Sequence, residues 1–456
     1  MGKNRDNSPE NNVFETMEVP KAYLTMAIPV VLGMVVSLVY NMVDTFFIAR
    51  TGDLNLVAGV SLGAPVFTLM VAMGDLFGLG GSSVMSRCFG RHDDDTGRRI
   101  SVFTWYGSIV WGIVVAAVML IFRTPILYLL GASEDTFTYT SQYYTVIAVG
   151  APAIIASLVP HNELRSEGYS VESTKGTVLG TVVNIILDPI LILGLGLGAT
   201  GAAAATVIGY FCSDVYFVSF IVRKSRKLSV SLKGFHITVQ EVLPVFSIGL
   251  PSSITNLVQS FGQTVTNRFL VPYGTNSVAA MGIAMKVNMI TLMIMIGFAF
   301  GGQALMGYNY GSGNQKRLKE IMKFAYLTEC GMGLVLAVVL TAAAPLLIGL
   351  FVSDTAVIAE GALMLRRLQL GMVFTGFVLV STCFFQSAGK SLQALTLSAS
   401  RQGVIFVIVM AIASHAAGYY GVLSAQPISD LLTAVLAAVL MAQLFRKGLP
   451  QVQEAQ

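Results

Sequence analysis

Apolar stretches of about twenty residues recur from one end of this 456-residue chain to the other. A helix of that length crosses a hydrocarbon layer about 30 Å thick, whereas the strands of a membrane barrel alternate apolar and polar residues in segments of about ten. Only 11% of the residues are charged, compared with about 25% in soluble domains. The chain is therefore predicted to be an all-α polytopic membrane protein.

The hydropathy pattern predicts twelve transmembrane helices. They lie near residues 22–50, 55–87, 100–122, 137–164, 174–195, 201–222, 242–271, 277–309, 321–343, 358–387, 391–415 and 420–445. These helices are predicted to form two lobes of six. The resulting segments are an N-terminal tail (1–21), an N-lobe (22–222), a connector (223–241), a C-lobe (242–445) and a C-terminal tail (446–456).

Basic residues concentrate in alternate loops. The segments "SRCFGRHDDDTGRR" and "RKSRKLSVSLKGFH" are rich in Lys and Arg, whereas "LVPYGTNS" and "HAAGYYG" are nearly free of them. Cytoplasmic loops carry such an excess of positive charge. We therefore expect both tails and the connector to be cytoplasmic, in a multi-pass protein of the plasma (inner) membrane. The basic residues are spread over loops, so no nucleic-acid partner is expected.

The chain also repeats itself at an offset of about 220 residues. "PVVLGMVVSLVYNMVDTFFIARTG" from Pro29 aligns with "PSSITNLVQSFGQTVTNRFLVPYG" from Pro251, "FGRHDDDTGRRI" with "YGSGNQKRLKEI", and "LRSEG" with "FQSAG". Six helices per half mean that both halves enter the membrane from the same side. The lobes should therefore be related by a pseudo-two-fold axis along the membrane normal, as in several transporters.

Polar residues interrupt three apolar helices of the N-lobe at matched depth. Asp188 in "NIILDPILILG", Asp44 in "VYNMVDTFFIARTG" and Thr206 in "GATGAAAATVIG" each lie about 8–10 Å from the outer end of their helix. Asn184 lies one turn before Asp188 on the same face. A carboxylate at bilayer depth costs roughly 2.5–3.5 kcal/mol, and such residues usually serve a function.

The chemistry of this set favours a proton or a hard cation such as Na⁺. Pro189 lacks an N–H, so it should bend its helix and leave the Ile185 carbonyl without a helical donor. Two carboxylates, an amide oxygen, a hydroxyl and a carbonyl are oxygen ligands, with no His or Cys among them. The alternative is that these groups only join helices by hydrogen bonds. The repeat partners Thr266 and Ile408 are not acidic, which places the predicted site in the N-lobe alone.

Three further acidic residues lie deep within predicted helices, namely Asp75, Asp214 and Glu329. Each could relay protons or could pair with a basic residue of the bundle. The candidate basic partners are Arg268, Lys286, Arg366 and Arg367. The sequence leaves these roles open.

Together, "VDTFFIARTG" after Pro29, "LRSEG" at the end of the fourth helix and "NIILDP" in the fifth resemble the multidrug and toxic compound extrusion (MATE) family. The similarity covers essentially the whole chain. It implies a secondary antiporter, not an enzyme, that expels amphipathic and often cationic compounds by alternating access. Its only cofactor-like requirement would be the coupling ion, H⁺ or Na⁺.

The resemblance also implies roles for individual residues. Asp44, Asn184, Asp188 and Thr206 would form the cation or proton site. By the same resemblance, Tyr40 would line that cavity and Pro29 would mark a bend in the first helix. The segments "GLPSSITNLVQSFGQTVTNRF" and "GALMLRRLQLGMVFTGFVLVSTCFF" lack the acidic residues that some members carry in the C-lobe. The chain therefore resembles the branch that couples through the N-lobe.

Three other functions are alternatives to drug export. A lipid-linked precursor flippase of the same superfamily would favour a cationic cavity and often extra helices. A membrane enzyme would place a catalytic motif such as HExxH or GxSxG at a membrane boundary, and no such pattern lies there; the sequence has no HExxH, and its GxSxG match at 59–63 lies inside the second predicted helix. A passive channel would need no two-lobe repeat. The expected partners are small-molecule drugs or toxic organic cations and membrane lipids, and the chain is expected to be a monomer.

Overall fold

The protein is all-helical. A computed structural model describes the backbone of residues 9–447 and their side chains, except at 9–11, 256, 257, 259, 260, 275 and 447; within these residues there is no strand. The helices are α1 (Pro9–Glu15), α2 (Val19–Ala49), α3 (Leu54–Gly90), α4 (Asp94–Ile121), α5 (Arg123–Leu129), α6 (Glu134–Ser166), α7 (Ser170–Asp188), α8 (Gly198–Lys224), α9 (Val239–Leu270), α10 (Thr275–Gly311), α11 (Gln315–Gly349), α12 (Thr355–Gln369), α13 (Met372–Ser387), α14 (Ser391–Gln402) and α15 (Val404–Lys447).

Three interruptions shape these helices. A π-helical turn, Pro189–Gly194, continues α7, and a 3₁₀ turn, Val271–Tyr273, follows α9. Gly418, at φ 53° and ψ −128°, breaks α15 into two helical parts. In the π-helical and 3₁₀ turns the backbone hydrogen bonds change from the α-helical spacing to a longer and a shorter one, respectively.

The predicted repeat is visible where α4 and α11 begin, because both helices start with the same kind of cap. Asp93 caps α4 by accepting from the Thr96 N–H, and its counterpart Asn314 caps α11 by accepting from the Arg317 N–H. The residues just before these caps, His92 and Gly313, both have positive φ, at 59° and 69°.

Ten helical segments within residues 9–447 are long and apolar enough to cross a membrane. Nine qualify singly, and the pair α12 and α13, bent by 46°, makes the tenth. The segment Ser391–Arg446 counts as one of these ten. Two changes would bring the number of transmembrane helices to twelve: α9 would also have to cross the membrane, and Ser391–Arg446 would have to be divided into two at the Gly418 kink. The all-α membrane fold is confirmed, and the number twelve stays a prediction.

The chain forms two compact units. Among the described residues, the first comprises 9–13 and Leu32–Ser253, and the second comprises Phe14–Val31 and the chain from Ile254 onward. The boundaries fall inside α2 and α9, so each of these helices contributes to both units. The predicted lobe limits, 22–222 and 242–445, assign each helix whole to one lobe and stay a prediction.

Each unit has its own core. In the first, α6 packs against α3, α4 and α8, around fully buried side chains such as Met70, Ile147 and Ile154. In the second, α11 packs against α10, α12 and α13.

Glycines allow very close approach of helices in both units. In the second, a Cβ at Gly301 of α10 would lie 2.3 Å from the Ala27 Cα of α2. In the first, a Cβ at Gly249 of α9 would lie 1.8 Å from the Leu76 carbonyl oxygen of α3. Small residues at such contacts give the van der Waals packing on which helix association in lipid depends.

Candidate ion-coupling site

The end of α7 buries an acidic residue without a partner. Asp188 is the last residue of the α-helix, and Pro189 begins the π-helical turn in which the Leu195 N–H donates to the Ile190 carbonyl at 2.8 Å. The helical register therefore changes where the proline removes an N–H. Asp188 is 0% exposed, and neither carboxylate oxygen has a hydrogen-bond partner in the protein.

Close packing of α7 and α8 brings Thr206 to the same place. Gly180 and Gly209 face each other so closely that a Cβ on either would lie within 2.7 Å of the other's carbonyl oxygen. As a result, Asn184 Nδ2 donates to Thr206 Oγ1 at 3.4 Å. The Asn184 amide oxygen is buried and has no hydrogen-bond partner.

The second half of α2 adds a tyrosine and the second acidic residue. The Tyr40 hydroxyl lies 3.2 Å from Thr206 Oγ1. Asp44, one turn later, is partly exposed, and its Oδ1 is buried without a partner. Asp44 also acts electrostatically on Asp188. The structure therefore brings Tyr40, Asp44, Asn184, Asp188 and Thr206 together, and we refer to these five residues as the acidic cluster.

Two tyrosines of the first unit were not identified from the sequence. Tyr143 of α6 lies within electrostatic range of both Asp44 and Asp188, and Tyr210 of α8 interacts with Tyr143. Tyr210 could have been found, because it lies one turn after Thr206 on the same face of α8. Tyr143 carries no comparable signal, since the packing of α6 on α3 and α8 decides where it points.

Pro29 lies within α2 but outside this cluster. It is about three helical turns before Tyr40, in the part of α2 that belongs to the second unit. α2 is helical on both sides of it, from Val19 to Ala49, and the predicted bend stays a prediction.

The acidic residues outside the cluster fall into two kinds. Neither the buried Asp214 nor Glu329 forms an ion pair among the described residues, and both Glu329 oxygens lack any hydrogen-bond partner. The second unit contains a buried ion pair that the sequence did not suggest, in which Arg401 Nε lies 2.9 Å from Asp430 Oδ1. Glu360, in α12 just before the quoted tenth segment, accepts from the Ser277 and Tyr419 hydroxyls at 2.5 Å each.

The sequence model of the MatE family matches the chain twice, over residues 29–190 and again over residues 251–412. The chain belongs to the MatE family. The two matches begin at Pro29 and Pro251, the residues that open the longest pair of repeated segments, and the family prediction is confirmed.

Two kinds of known protein resemble this MatE protein along nearly its whole length. The "Multidrug export protein MepA" of Staphylococcus saprophyticus is 30% identical over 436 residues, which are 96% of each chain. A structure described as the outward-facing conformation of a multidrug resistance MATE family transporter of the MOP superfamily is 25% identical, with a TM-score of 0.91, and covers 96% of this chain and 98% of its own.

A second solved structure matches equally well. It is a MOP superfamily transporter from Pyrococcus furiosus whose binding pocket, described as reversed in polarity, suggests a different function; it is 25% identical with a TM-score of 0.90, covering 96% of this chain and 98% of its own. With its apolar helices and these relatives, the protein is a multi-pass membrane transporter and not an enzyme.

Proposed function

We propose that this MatE protein exports amphipathic and cationic drugs in exchange for H⁺ or Na⁺, and that the coupling ion binds at the acidic cluster. The observation that carries the proposal is Asp188, fully buried with both oxygens unpartnered, beside a second acidic residue, Asp44. An isolated buried carboxylate is strongly unfavourable unless it is neutralised by a proton or paired with a cation. The names of the relatives support drug export.

The hydrogen bonds of the cluster leave it rich in acceptors. Thr206 has a single hydroxyl proton, which it donates to the Ala202 carbonyl at 3.1 Å, so Asn184 and Tyr40 both donate to Thr206. The Asn184 amide oxygen and the two carboxylates then remain as acceptors without donors. An arrangement of oxygen acceptors suits a proton or a hard cation, and it would repel the phosphates of a lipid-linked precursor.

The exchange follows from competition between the drug and the coupling ion for the negative charge of Asp44 and Asp188. When the two carboxylates are ionised, they attract either a cationic drug or the coupling ion, and binding of one neutralises the charge that holds the other. Each net positive charge that enters across 100 mV supplies about 2.3 kcal/mol when more charge enters than leaves, and a one-for-one exchange of monovalent cations is driven by the concentration gradient of the coupling ion instead. Alternating access of the two repeated halves would carry the bound species across.

The remaining expectations belong to the same proposal. The protein would lie in the plasma (inner) membrane with both termini cytoplasmic, because its basic loops alternate with nearly uncharged ones. It would work as a monomer surrounded by lipid, without nucleic acid.

Purified protein in proteoliposomes tests the proposal. Efflux of a fluorescent cationic dye is followed under a pH gradient and, separately, under a Na⁺ gradient, for wild type, Asp188→Asn, Asp44→Asn and the control Asp95→Asn, which removes an exposed acid of α4. We expect one gradient to drive efflux in wild type and control, and neither to drive it in the cluster variants. Wild-type rates in both cluster variants would show that these acids only join helices.

A further inference from the structure

Glu329 is a buried acid of the second unit without a partner among the described residues. It lies near the middle of α11, is 0% exposed, and neither of its carboxylate oxygens has a hydrogen-bond partner in the protein. A charged carboxylate without a partner costs several kcal/mol even after its surroundings relax. In the conformation described here, the side chain must therefore be neutral.

Its surroundings offer no positive charge. Gly376 of α13 lies against its aliphatic stem, because a Cβ at Gly376 would lie 3.1 Å from the Glu329 Cγ, and the same Cβ would lie 3.1 Å from the Met295 Cε of α10. The titratable groups around it are Tyr23 of α2 and Cys330 of α11, with Cys383 of α13 beyond Tyr23. No Lys, Arg or His of the described residues pairs with it.

The first unit places different residues at the equivalent positions. The aligned segments pair Glu329 with Ser108 of α4 and Gly376 with Ile155 of α6. Ser108 is fully buried but satisfied, because its hydroxyl donates to the Trp105 carbonyl at 2.7 Å. One half of the repeat thus combines a small polar residue with a large apolar one, and the other combines a large acid with a glycine. The glycine provides the room that the glutamate needs.

Tyr23 connects this acid to the first half of α2. Its ring packs on Gly302 of α10, with ring centroids 4.9 Å from Phe298 and 5.5 Å from Phe324. Its hydroxyl donates to the Phe298 carbonyl at 3.3 Å, so it is not available to Glu329. A negative charge on Glu329 would therefore meet no donor until this packing opened to water or a cation.

We propose that Glu329 is a second proton-binding site, which holds its proton in the conformation described and releases it to water when the packing around the first half of α2 opens. The ligand is a proton, and release converts the neutral acid to a carboxylate. The proposal stands apart from the acidic cluster, which lies in the other unit.

Infrared difference spectroscopy on the purified full chain tests the first part. The carbonyl stretch of protonated carboxylic acids is compared between wild type and Glu329→Gln across about pH 5 to 10, with Asp188→Asn as the control. We expect a band at neutral pH that Glu329→Gln lacks, that Asp188→Asn keeps and that disappears at alkaline pH. The absence of this difference band at neutral pH would mean that Glu329 is ionised, and a band that never titrates would make it a structural acid; either result overturns the proposal.

Hydrogen exchange of residues 19–31 tests the second part. After correction for the intrinsic pH dependence of exchange, we expect wild type to exchange faster at alkaline pH, and Glu329→Gln to show no such increase. The double variant Glu329→Ser/Gly376→Ile copies the pair of the first unit, so it removes the acid while filling its space, and it should behave as Glu329→Gln does. An equal increase in all three proteins would assign the opening to another group and overturn this part.

Discussion

The two halves of the repeat share aligned segments and matching helix caps but not their buried charges. In the first unit, Asp44 and Asp188 meet without cationic partners. The counterpart of Asp44 in the second unit is Thr266, a buried hydroxyl that donates to the Gly262 carbonyl at 3.0 Å. The second unit instead buries acids elsewhere, one unpaired at Glu329 and one, Asp430, paired with Arg401.

The comparison shows that a repeated sequence pattern can be kept while the chemistry of each half diverges. Asp430 has its charge balanced by Arg401 and also accepts from Gln426 Nε2 at 2.9 Å. A paired acid of this kind holds helices α14 and α15 in place. An unpaired acid can change its protonation during a cycle, because nothing else stabilises its charge.

Moving the acid from one half to the other should produce the largest effect. The double variant Asp44→Thr/Thr266→Asp exchanges the residues of the two halves, with each single variant as a control. We expect gradient-driven dye efflux to be lost in the double variant, because the second unit has no acid at the position equivalent to Asp188. Restored coupling would show that the two halves are chemically interchangeable after all.

Breaking the Arg401–Asp430 ion pair of the second unit should have the second-largest effect. Arg401→Met leaves Asp430 buried without its cation, and we expect a loss of about 3–5 kcal/mol in the free energy of unfolding, measured by thermal unfolding in detergent. Arg401→Met/Asp430→Leu should recover most of that loss, since no charge then remains unpaired. If the double variant is as unstable as the single one, packing rather than charge explains the effect.

The close helix contacts of the two units should respond alike. Gly249→Ala in the first unit and Gly301→Ala in the second force backbone atoms apart, and we expect each to cost about 1–3 kcal/mol of unfolding free energy. Gly282→Ala of α10 is the matched control, because a Cβ there meets nothing within 4 Å. A contact that tolerates alanine in one unit only would show that the repeat does not pack with equal precision.

The smallest effect concerns two helix caps at the surface. Asp53 caps α3, and a hydrogen bond from the Tyr139 hydroxyl at 2.6 Å, with those from the Leu56 and Asn55 N–H groups, lowers the pKa of its carboxyl. Asp354 caps α12 through two backbone N–H groups. We expect Asp53→Asn to lower the thermal midpoint more than Asp354→Asn does.

The pH dependence of this cap has a definite sign. Because the folded pKa of Asp53 lies below the unfolded value of about 3.9, its stabilisation is present above that value and is lost as pH falls through the folded pKa. The difference between wild type and Asp53→Asn should therefore shrink under acid conditions below about pH 4. A difference that persists there, or one that is unchanged by Tyr139→Phe, would contradict this explanation.

Much of the acidic cluster could be predicted from residue positions alone. Asp44, Asn184, Asp188 and Thr206 stand out because carboxylates and amides are rare inside apolar helices and because helical rise converts sequence position into depth. Tyr143 could not be found in this way, since its approach to the cluster depends on how α6 packs. Among the residues that the structure describes, neither Asp214 nor Glu329 forms an ion pair with a suggested basic residue, because ion pairing requires side chains of different helices to meet.

The sequence by itself determined the helical membrane class and the repeat, because these depend on composition, period and spacing along one chain. The tertiary structure alone decided which acids are paired, that α2 and α9 each contribute to both units, and that Thr206 receives two hydrogen bonds from different helices. Such facts depend on contacts between helices far apart in the chain. These contacts matter because a polar group buried inside the bundle can form a hydrogen bond or ion pair only with the groups that surround it there.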